Sequence, residues 1–487
     1  MSRRTPWLYA AAWVVLQSGC TVGPDFKAPE PPDVHSYTAP GDTPLPSDQR
    51  ISLGAPIEGD WWSQFHAAAL DSLMREALQN NQDIAAARAR VAQAEEEVSA
   101  ARATLFPSVT FGTTAGRQKY GKALFGPLDF VIPPFTYYTV GPSITAPLDL
   151  FGGNKRALEE RGAYNDYQKD QLRAAYLSLT ANIATQALTA AAARAELDVV
   201  QDIIANDQRN VDLVQTALDD GLATRTQLLT AQTQLATDRT LLPQLRQEES
   251  TARHALAILL GRQPAQWTPP QLTLNDFKLP PEIPAGLPAE LVHRRPDILA
   301  AEAQLHAASA AIGVATAGLY PNITLTGTLT QQALTPGNLF QGAAAAWSIA
   351  AGLTAPLYDA GKLRAERRAA VNGYQAALAD YHEVILRSFG EVADGMQALS
   401  NDDEQFNSQA TAAQTAASAR DLVRRSFAVG NSGILDVLDA ERSTAQAQLG
   451  LARAKAQRLM DTARLYIALG GTPVTSSEIP NVAAAGP

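Results

Sequence analysis

The sequence LYPNIT at residues 319–324 repeats the pattern of LFPSVT at residues 105–110, in which leucine and an aromatic residue precede proline and β-branched residues follow. The two stretches lie 214 positions apart (319 minus 105), and other segments keep register with them. At the offset of 214, residues 80–84 match 294–298. Later in the unit the offset becomes 209, and the matches are 146–148 with 355–357, Gly221 with Gly430, and 260–261 with 469–470. This agreement predicts a tandem duplication of a unit of about 180 residues, far longer than a solenoid repeat of about 20–50.

Each copy contains two segments in which apolar residues alternate with small polar ones. In the second copy Ile323, Leu325 and Leu329 alternate with threonines, and residues 347–354 alternate again after a loop. Segments of about ten residues with one apolar and one small-polar face are typical of a transmembrane β-barrel. A half-buried strand of a soluble sheet alternates in the same way. One hairpin alone leaves both interpretations open, whereas two duplicated hairpins favour the barrel.

Long runs rich in Ala, Arg and Glu predict helices around these hairpins. We expect one helix over residues 70–104 and two long helices over 153–219 and 361–429, each long helix measuring about 100 Å. Returning helices are predicted over 223–260 and 432–469, with Pro243 kinking or interrupting the first. The helix before each hairpin and the returning helix together match one long helix, so we expect these two to stack end to end.

The predicted fold is mainly α with a small β part, built from a duplicated unit of strand hairpin and long helix. Trp61, Trp62 and Phe65, just before the first helix, are predicted packing anchors. The expected segments are a signal peptide (1–19), an N-terminal wrapping arm (20–69), repeat 1 (70–261, hairpin at about 107–148), an equatorial linker (262–288), repeat 2 (289–471, hairpin at about 321–357) and a C-terminal tail (472–487).

Composition excludes several classes of protein. The net charge of −10 offers no basic footprint for a nucleic acid. No run of 18 or more apolar residues occurs, so no transmembrane helix is predicted. Cys20 is the single cysteine, which rules out a disulfide within the chain and a cysteine-rich metal site.

The surroundings of Cys20 are those of a bacterial lipoprotein signal. Arg3 and Arg4 precede an apolar segment at 7–16, and Ser18-Gly19 stand directly before the cysteine. The resemblance implies that Cys20 is lipidated and becomes the first residue of the mature chain, and that Thr21 directs sorting to the outer membrane. Gln17 departs from the usual aliphatic residue. An ordinary cleaved signal with an incidental cysteine is the alternative.

Four strands are too few to close a barrel within one chain. Unpaired strand edges do not survive in lipid, so the barrel interpretation requires oligomerisation. Two chains would give eight strands and a barrel filled by side chains, whereas three would give twelve strands and an open lumen. The small polar residues of the alternating segments suit a water-filled passage, so a homotrimer is expected.

The chain resembles the outer membrane factor family, the TolC-like channels, in its lipoprotein branch grouped with NodT in resistance-nodulation-division (RND) efflux systems. The residues that carry the resemblance are CTVGPDF at 20–26, Trp61-Trp62, the two strand starts quoted above and the tip sequence 430–440. The resemblance implies a trimeric 12-strand transmembrane β-barrel on a 12-helix coiled-coil periplasmic tunnel. It also implies an outer-membrane exit duct that passively conducts drugs or other small molecules delivered by an inner-membrane RND-type pump and a periplasmic adaptor (membrane fusion) protein.

The turns at Gly221 and Gly430 are the predicted periplasmic mouth. In related channels the positions of Leu435, Asp439 and Arg442 form the closed constriction, so the resemblance implies a gate there. The alternative is a solvated Asp–Arg pair on a helix, worth a few tenths of a kcal/mol. The predicted adaptor contacts are Gly221, Thr224, Gly430 and Gly433, which equally suit plain helix turns.

No enzyme is predicted, and no cofactor beyond the covalent lipid on Cys20. The six histidines form no metal-binding pattern, and neither a nucleophile elbow nor a phosphate-binding loop occurs. Asp402, Asp403 and Glu404 are predicted to form a solvated helix face. Two other functions stay open: a channel for type I protein secretion, and a periplasmic coiled-coil scaffold lipoprotein whose strands form a small capping sheet.

Overall fold

Helices and strands alternate in a twofold repeated order in the computed structural model, which describes residues 21–34, 36–38, 41, 49–55, 59–121 and 132–471. The signal peptide, Cys20 and the C-terminal tail lie outside the described residues. The helices are α1 (Ala68–Asn80), α2 (Gln82–Ala103), α3 (Gly153–Asp219), α4 (Arg225–Arg239), α5 (Leu241–Leu259), α6 (Pro288–Leu291), α7 (Pro296–Ala317), α8 (Lys362–Ala428) and α9 (Ile434–Ala468). The strands are β1 (Arg50–Leu53), β2 (Ser108–Gln118), β3 (Phe135–Leu148), β4 (Glu282–Ala285), β5 (Asn322–Ala333) and β6 (Ala345–Thr354).

The two long helices have the predicted extent. α3 and α8 contain 67 residues each, which corresponds to about 100 Å at the rise of an α-helix. The chain divides into two compact units, and both long helices contribute residues to each. One unit contains the sheet formed by the two hairpins, with residues 91–168 and 301–381, and the other contains the helical hairpins, with 169–300 and 382–471.

The two hairpins join in a single antiparallel sheet with strand order β2-β3-β5-β6. Residues that face each other across antiparallel strands point to the same side of the sheet. One such row contains Val109, Ile144, Gly327 and Ile349, and the neighbouring row contains Thr110, Ser143, Thr328 and Ser348. The pairing register therefore sorts apolar residues to one face across all four strands and small polar residues to the other.

The apolar face of the sheet is not covered by the described part of the chain. Phe111 is 73% exposed, Trp347 76% and Ile349 81%. A half-buried soluble sheet would cover this face with its own chain. The outer strands β2 and β6 each have one neighbouring strand in the sheet. The described residues of the single chain thus present both an open apolar face and two open edges.

The prediction of one helix over residues 70–104 was wrong, because α1 and α2 are separated at Asn81. Asn81 has an extended backbone, and its side-chain Oδ1 accepts hydrogen bonds from the N–H groups of Asp83 (2.9 Å) and Ile84 (3.1 Å). Its Nδ2 donates to the carbonyl oxygen of Leu259, the last residue of α5, at 2.9 Å. One asparagine therefore caps the start of α2 and the end of α5 together.

Arg295 forms the equivalent junction in the second copy. Its Nη1 donates to the carbonyl oxygen of Ala468, the last residue of α9, at 2.9 Å. Buried Arg295 also forms ion pairs of 2.7 Å with Asp297 at the start of α7 and with Glu391 of α8. The expected end-to-end stacking of short helices is confirmed at both junctions, with a neutral cap in one copy and a charged cap in the other.

The returning helix of the first copy is interrupted as predicted. α4 ends at Arg239 and α5 begins at Leu241, so the break precedes Pro243, whose ring excludes the carbonyl of the residue four positions before it. The second returning helix, α9, runs without interruption for 35 residues.

The arm and the linker contain a contact that periodicity did not indicate. β1 in the arm pairs in parallel with β4 in the linker, with Arg50 opposite Glu282. Four-residue strands are too short to show an alternation. The aromatic anchors are confirmed: Trp61, Trp62 and Phe65 are buried, and Trp61 stacks on Tyr466 of α9 with ring centroids 5.9 Å apart.

The prediction of a solvated face at Asp402, Asp403 and Glu404 was wrong for the two aspartates, which are 6% and 9% exposed. Arg458 of α9 forms an ion pair of 2.7 Å with Asp403, and Arg458 also lies over the ring of Phe406. Asp402 faces Asp461 of α9. The partners come from another helix, so a scan of local sequence could not identify them.

Among the described helices α7 alone is long and apolar enough to cross a membrane on length and composition. A helix packed inside a protein passes the same test, so this finding is weak support for a membrane span and leaves the strand interpretation unchanged.

Gly141 of β3 has no room for a side chain, which gives a test of the sheet. A Cβ atom there would lie 2.2 Å from the carbonyl oxygen of Leu329 in β5, whereas a Cβ on Gly112, directly opposite in β2, would meet nothing within 4 Å. We expect Gly141→Ala to cost about 1–3 kcal/mol by forcing β3 from β5. Gly112→Ala is the matched control. The folded fraction recovered in outer membranes should fall for Gly141→Ala alone, and equal recovery of both variants would contradict the close approach of β5 to Gly141.

The Asp402–Asp461 pair gives a pH-dependent stability. Burial, and next the neighbouring Asp461, raise the pKa of Asp402 to about 7, against the opposing charges of Arg458 and Arg464. The pKa in the unfolded chain is lower, about 3.9. The protonated group therefore stabilises the fold fully below about pH 4, and this contribution is lost as the pH rises through about 7.

Asp402→Asn removes that loss because the amide cannot ionise. At about pH 8 we expect its free energy of unfolding to exceed that of the unaltered chain by about 1–3 kcal/mol, with no difference near about pH 4. Thermal unfolding across this pH range measures the difference. Glu404→Gln, at an exposed neighbouring position, is the control; a gain of the same size there would show that net charge rather than the buried pair is responsible.

Candidate functional site

The two turns in which α3 and α8 end, at Gly221 and Gly430, are built alike. Gly221 has a φ of +74° and Gly430 a φ of +79°, a left-handed conformation that glycine adopts without steric cost. After Gly221 the N–H of Leu222 donates to the carbonyl of Ala217 at 2.7 Å, and Asn431 donates equivalently to Ser426 at 2.9 Å. Both long helices therefore end in glycine C-caps.

Each returning helix then begins with a side-chain cap. Thr224 and Gln227 form a capping box, in which the N–H of Gln227 donates to Thr224 Oγ1 at 3.3 Å and the N–H of Thr224 donates to Gln227 Oε1 at 2.7 Å. In the second turn the N–H of Gly433 donates to Asp436 Oδ2 at 2.8 Å. The structure thus assigns Gly221, Thr224, Gly430 and Gly433 to turn geometry, and no described contact tests their predicted role toward an adaptor.

The two turns pack against each other through one apolar cluster. It is formed by residues of α3, α4 and α9, and its buried members are Val211, Val214, Leu228, Ala231, Leu235, Ile434 and Val437. The two helical hairpins of the chain, α3–α4 and α8–α9, are therefore held together just above the turns. Leu222 and Val429, at the turns themselves, are 83% and 70% exposed.

Leu435, Asp439 and Arg442 lie on one stretch of α9 and are all exposed. Arg442 Nη2 and Asp439 Oδ1 form an ion pair of 2.6 Å within the helix. Leu435 is 50% exposed. A solvated pair of this type contributes little to stability, so any function of these residues depends on what they meet outside their own chain.

The equivalent positions of the first copy carry no charge. With the 209 offset, Leu435, Asp439 and Arg442 fall on Thr226, Thr230 and Thr233. The hydroxyl groups of Thr230 and Thr233 donate to their own helix, at 3.0 Å to Thr226 and 2.7 Å to Leu229. Near the turns, the exposed charged pair is thus a property of the second hairpin.

A group of carboxylates above the turns, buried at Asp207 and Glu441 and partly buried at Asp238, was missed by the sequence analysis. Asp207 of α3 faces Asp238 of α4 and lies near Glu441 of α9, which is paired with Arg424 of α8. Each acidic residue stands three or four positions from buried apolar residues of its helix, as Asp207 stands between Ile203 and Val211. An acidic residue within the apolar stripe of a helix was the sequence signal that could have identified this group of carboxylates.

The segment that follows Cys20 is bound to the unit containing the sheet. Arg156 at the start of α3 donates from Nε to the carbonyl of Val22 at 3.1 Å and pairs with Asp25 at 2.7 Å. Phe26 stacks on His306 with ring centroids 4.4 Å apart. Cys20 itself lies outside the described residues, but its chain neighbours are fixed where β3 leads into α3.

A four-stranded sheet with an uncovered apolar face, joined to helices of 67 residues, is the architecture of one class of outer-membrane channel. The family described as outer membrane efflux protein matches residues 73–262 and 287–471, and the chain belongs to this family. It is an outer-membrane efflux channel. In the part of the chain that the structure describes, no group of three or more His, Cys, Asp or Glu residues could hold a metal ion.

Three known proteins illustrate the similarity. The chain is 32% identical over 414 residues to the pyoverdine export outer membrane protein OpmQ of Pseudomonas putida, covering 84% of this chain and 87% of that protein. It is 30% identical to nodulation protein T of Rhizobium leguminosarum, covering 95% and 93%. The solved outer-membrane channel OprN superimposes with a TM-score of 0.84 at 29% identity, covering 93% and 99%.

Proposed function

We propose that three copies of the chain close one barrel, which opens into a tunnel built by their helices. The observation that carries the proposal is the four-stranded sheet with open edges at β2 and β6. These outer strands contain 11 and 10 residues, so they are matched in length for pairing between copies. In lipid each unpaired backbone group costs several kcal/mol, and a closed ring of strands removes that cost.

The sorting of side chains supports three copies rather than two. Three four-stranded sheets give twelve strands, enough for an open lumen, whereas eight strands leave an interior filled by side chains. The row of Thr110, Ser143, Thr328 and Ser348 then lines the lumen, and the row with Val109 and Ile349 contacts lipid. Each chain supplies two long helices and two end-to-end columns, so three chains supply twelve helical columns.

The native mass of protein extracted in mild detergent tests the assembly. After correction for bound detergent we expect three protomers, because only pairing with other copies satisfies both edges in lipid. A monomer that stays soluble without detergent once the lipid is removed would contradict the barrel. It would favour the alternative of a periplasmic coiled-coil scaffold lipoprotein.

We infer that the channel is a passive exit duct of a tripartite efflux system. The described residues form helices, turns and strands, and the sequence has no phosphate-binding loop to supply energy. We therefore propose that an inner-membrane pump, of the RND type that the family resemblance implies, drives transport, and that a periplasmic adaptor connects it to the turns at Gly221–Thr224 and Gly430–Gly433. The cargo we propose is small molecules, since pyoverdine is what the relative OpmQ is named for exporting.

The chain itself carries no catalysis in this proposal. Its one covalent addition is a lipid on Cys20, which would anchor the mature N-terminus at the membrane. The contacts of Arg156 with Val22 and Asp25 support this assignment, because they fix the following segment beside the end of β3.

We propose that Leu435, Asp439 and Arg442 narrow the periplasmic end of the tunnel. Around a threefold axis three leucines would form an apolar ring, and three Asp439–Arg442 pairs would link neighbouring copies. The exposure of all three side chains supports the proposal, since they are available to other copies. Opening is then an outward movement of the α8–α9 hairpin against the apolar cluster it shares with α3 and α4.

Removing the charged pair tests this gate. Three exposed pairs worth about 0.2–1 kcal/mol each should shift the closed–open equilibrium by roughly threefold to a hundredfold, so Asp439→Ala with Arg442→Ala raises the open fraction in planar bilayers. The control is Thr230→Ala with Thr233→Ala, at the equivalent positions of the first copy. Unchanged conductance in the Asp439–Arg442 double variant, or an equal rise in both double variants, would contradict a role of the charged pair in closing the tunnel.

A further inference from the structure

Asp207 of α3 and Asp238 of α4 face each other above the turns, and Glu441 of α9 lies near enough to act on Asp207 electrostatically. Asp207 is 8% exposed and Glu441 6%. Asp238 Oδ2 accepts a hydrogen bond from Gln234 Nε2 at 2.8 Å. Asp207 Oδ2 is buried and has no hydrogen-bond donor among the described residues. An ionised carboxylate in this position would keep a buried charge without a partner, which is costly.

The positive groups nearby do not neutralise Asp207. Arg424 of α8 is engaged with Glu441, and Arg239 of α4 donates to Gln208 Oε1 at 3.0 Å. The groups that face Asp207 from other helices are thus Asp238 of α4 and Glu441 of α9, both acidic. A metal ion is not favoured as the missing partner, because the described residues offer no three-ligand acidic group.

A shared proton satisfies this geometry. Two facing carboxyl groups with one proton form a hydrogen bond and leave one negative charge between them, as in carboxylate dyads. Burial, then Asp238 and Glu441, raise the pKa of Asp207 to about 7. The pair therefore changes its charge near neutral pH.

We propose that Asp207, Asp238 and Glu441 form a proton-controlled lock on the periplasmic tip, closed while Asp207 and Asp238 share a proton and weakened when that proton leaves. Asp207 and Asp238 join α3 to α4 in the first hairpin, and the charge of Glu441 in the second acts on Asp207. Loss of the proton places like charges at both contacts, directly above the apolar cluster that holds the hairpins together. This inference rests on the proposed movement of the α8–α9 hairpin.

The test compares the pH dependence of opening in Asp207→Asn and in the unaltered chain, using purified full-length protein in planar bilayers. The unaltered chain should open several-fold more often as the pH rises from about 6 to about 8, through the range in which the pair loses its proton. Asp207→Asn, which cannot ionise and can donate to Asp238, should stay at the low-pH level throughout. Asp202→Asn, at an exposed position of the same helix, should keep the full pH response.

Infrared difference spectra of the same proteins in detergent test the shared proton without relying on conductance. The protonated-carboxyl band lost between about pH 6 and about pH 8 should be weaker in Asp207→Asn than in Asp202→Asn, the remainder belonging to the Asp402–Asp461 pair. A full band in Asp207→Asn, or a full pH response of its conductance, would overturn the lock. If neither the unaltered chain nor the Asp439–Arg442 double variant conducts, the proposed gate fails instead, and the infrared band alone decides whether the proton is shared.

Discussion

The unpaired backbone of β2 and β6 is the constraint on which the rest of the structure depends. A sheet edge needs hydrogen-bonding partners, and a membrane supplies no water to provide them. The apolar face of the sheet also needs to be covered, because Phe111 and Ile349 are exposed in the single chain. Lipid covers the face but cannot pair the edge, so only further strands complete this chain. In the proposed trimer this requirement extends to the helices, because the pairing of copies at their strands also brings their long helices together.

The junctions between short helices show how a duplicated chain makes long columns from broken pieces. A helix start and a helix end each leave backbone groups without partners, and stacking them end to end would bury these groups. Asn81 and Arg295 solve this at equivalent places by bonding the last carbonyl of the returning helix, Leu259 in one copy and Ala468 in the other. The solution is local in the first copy. In the second it extends to Glu391 of α8, so the long helix is tied to the junction as well.

Periodicity and the internal offset predicted the four strands and the two long helices, and Pro243 predicted the interruption of the first returning helix, because each depends on local sequence. The break at Asn81 was missed since asparagine is tolerated in a helix, and its capping role requires Leu259, which is remote in sequence. β1 and β4 are too short to carry a pattern. Asp402 and Asp403 were expected in solvent because charge usually marks an exposed face. They are buried instead, and Asp403 is paired with Arg458 of another helix. Of the candidate site, Gly221 and Gly430 were predictable as turns, whereas the facing of Asp207 and Asp238 depends on how two helices pack.

The two copies differ in where they place charge, and this difference bears on which hairpin can move. The first copy has a neutral cap at Asn81 and threonines at 226, 230 and 233, and its threonine hydroxyls at 230 and 233 bond to their own helix. The second copy has Arg295 with two carboxylates, the Asp439–Arg442 pair, and Glu441 paired with Arg424. Apolar packing holds a helix in place over a wide range of conditions, while charged contacts change with protonation, salt and the approach of other charges. A duplicated unit with threonines at these three positions of one copy and Leu435 with the Asp439–Arg442 pair at those of the other therefore makes the second hairpin the one whose exposed contacts can respond to such changes. In the proposed gate α8–α9 is then the hairpin that moves, while Asp207 and Asp238 of the first hairpin form a second group whose charge depends on protonation.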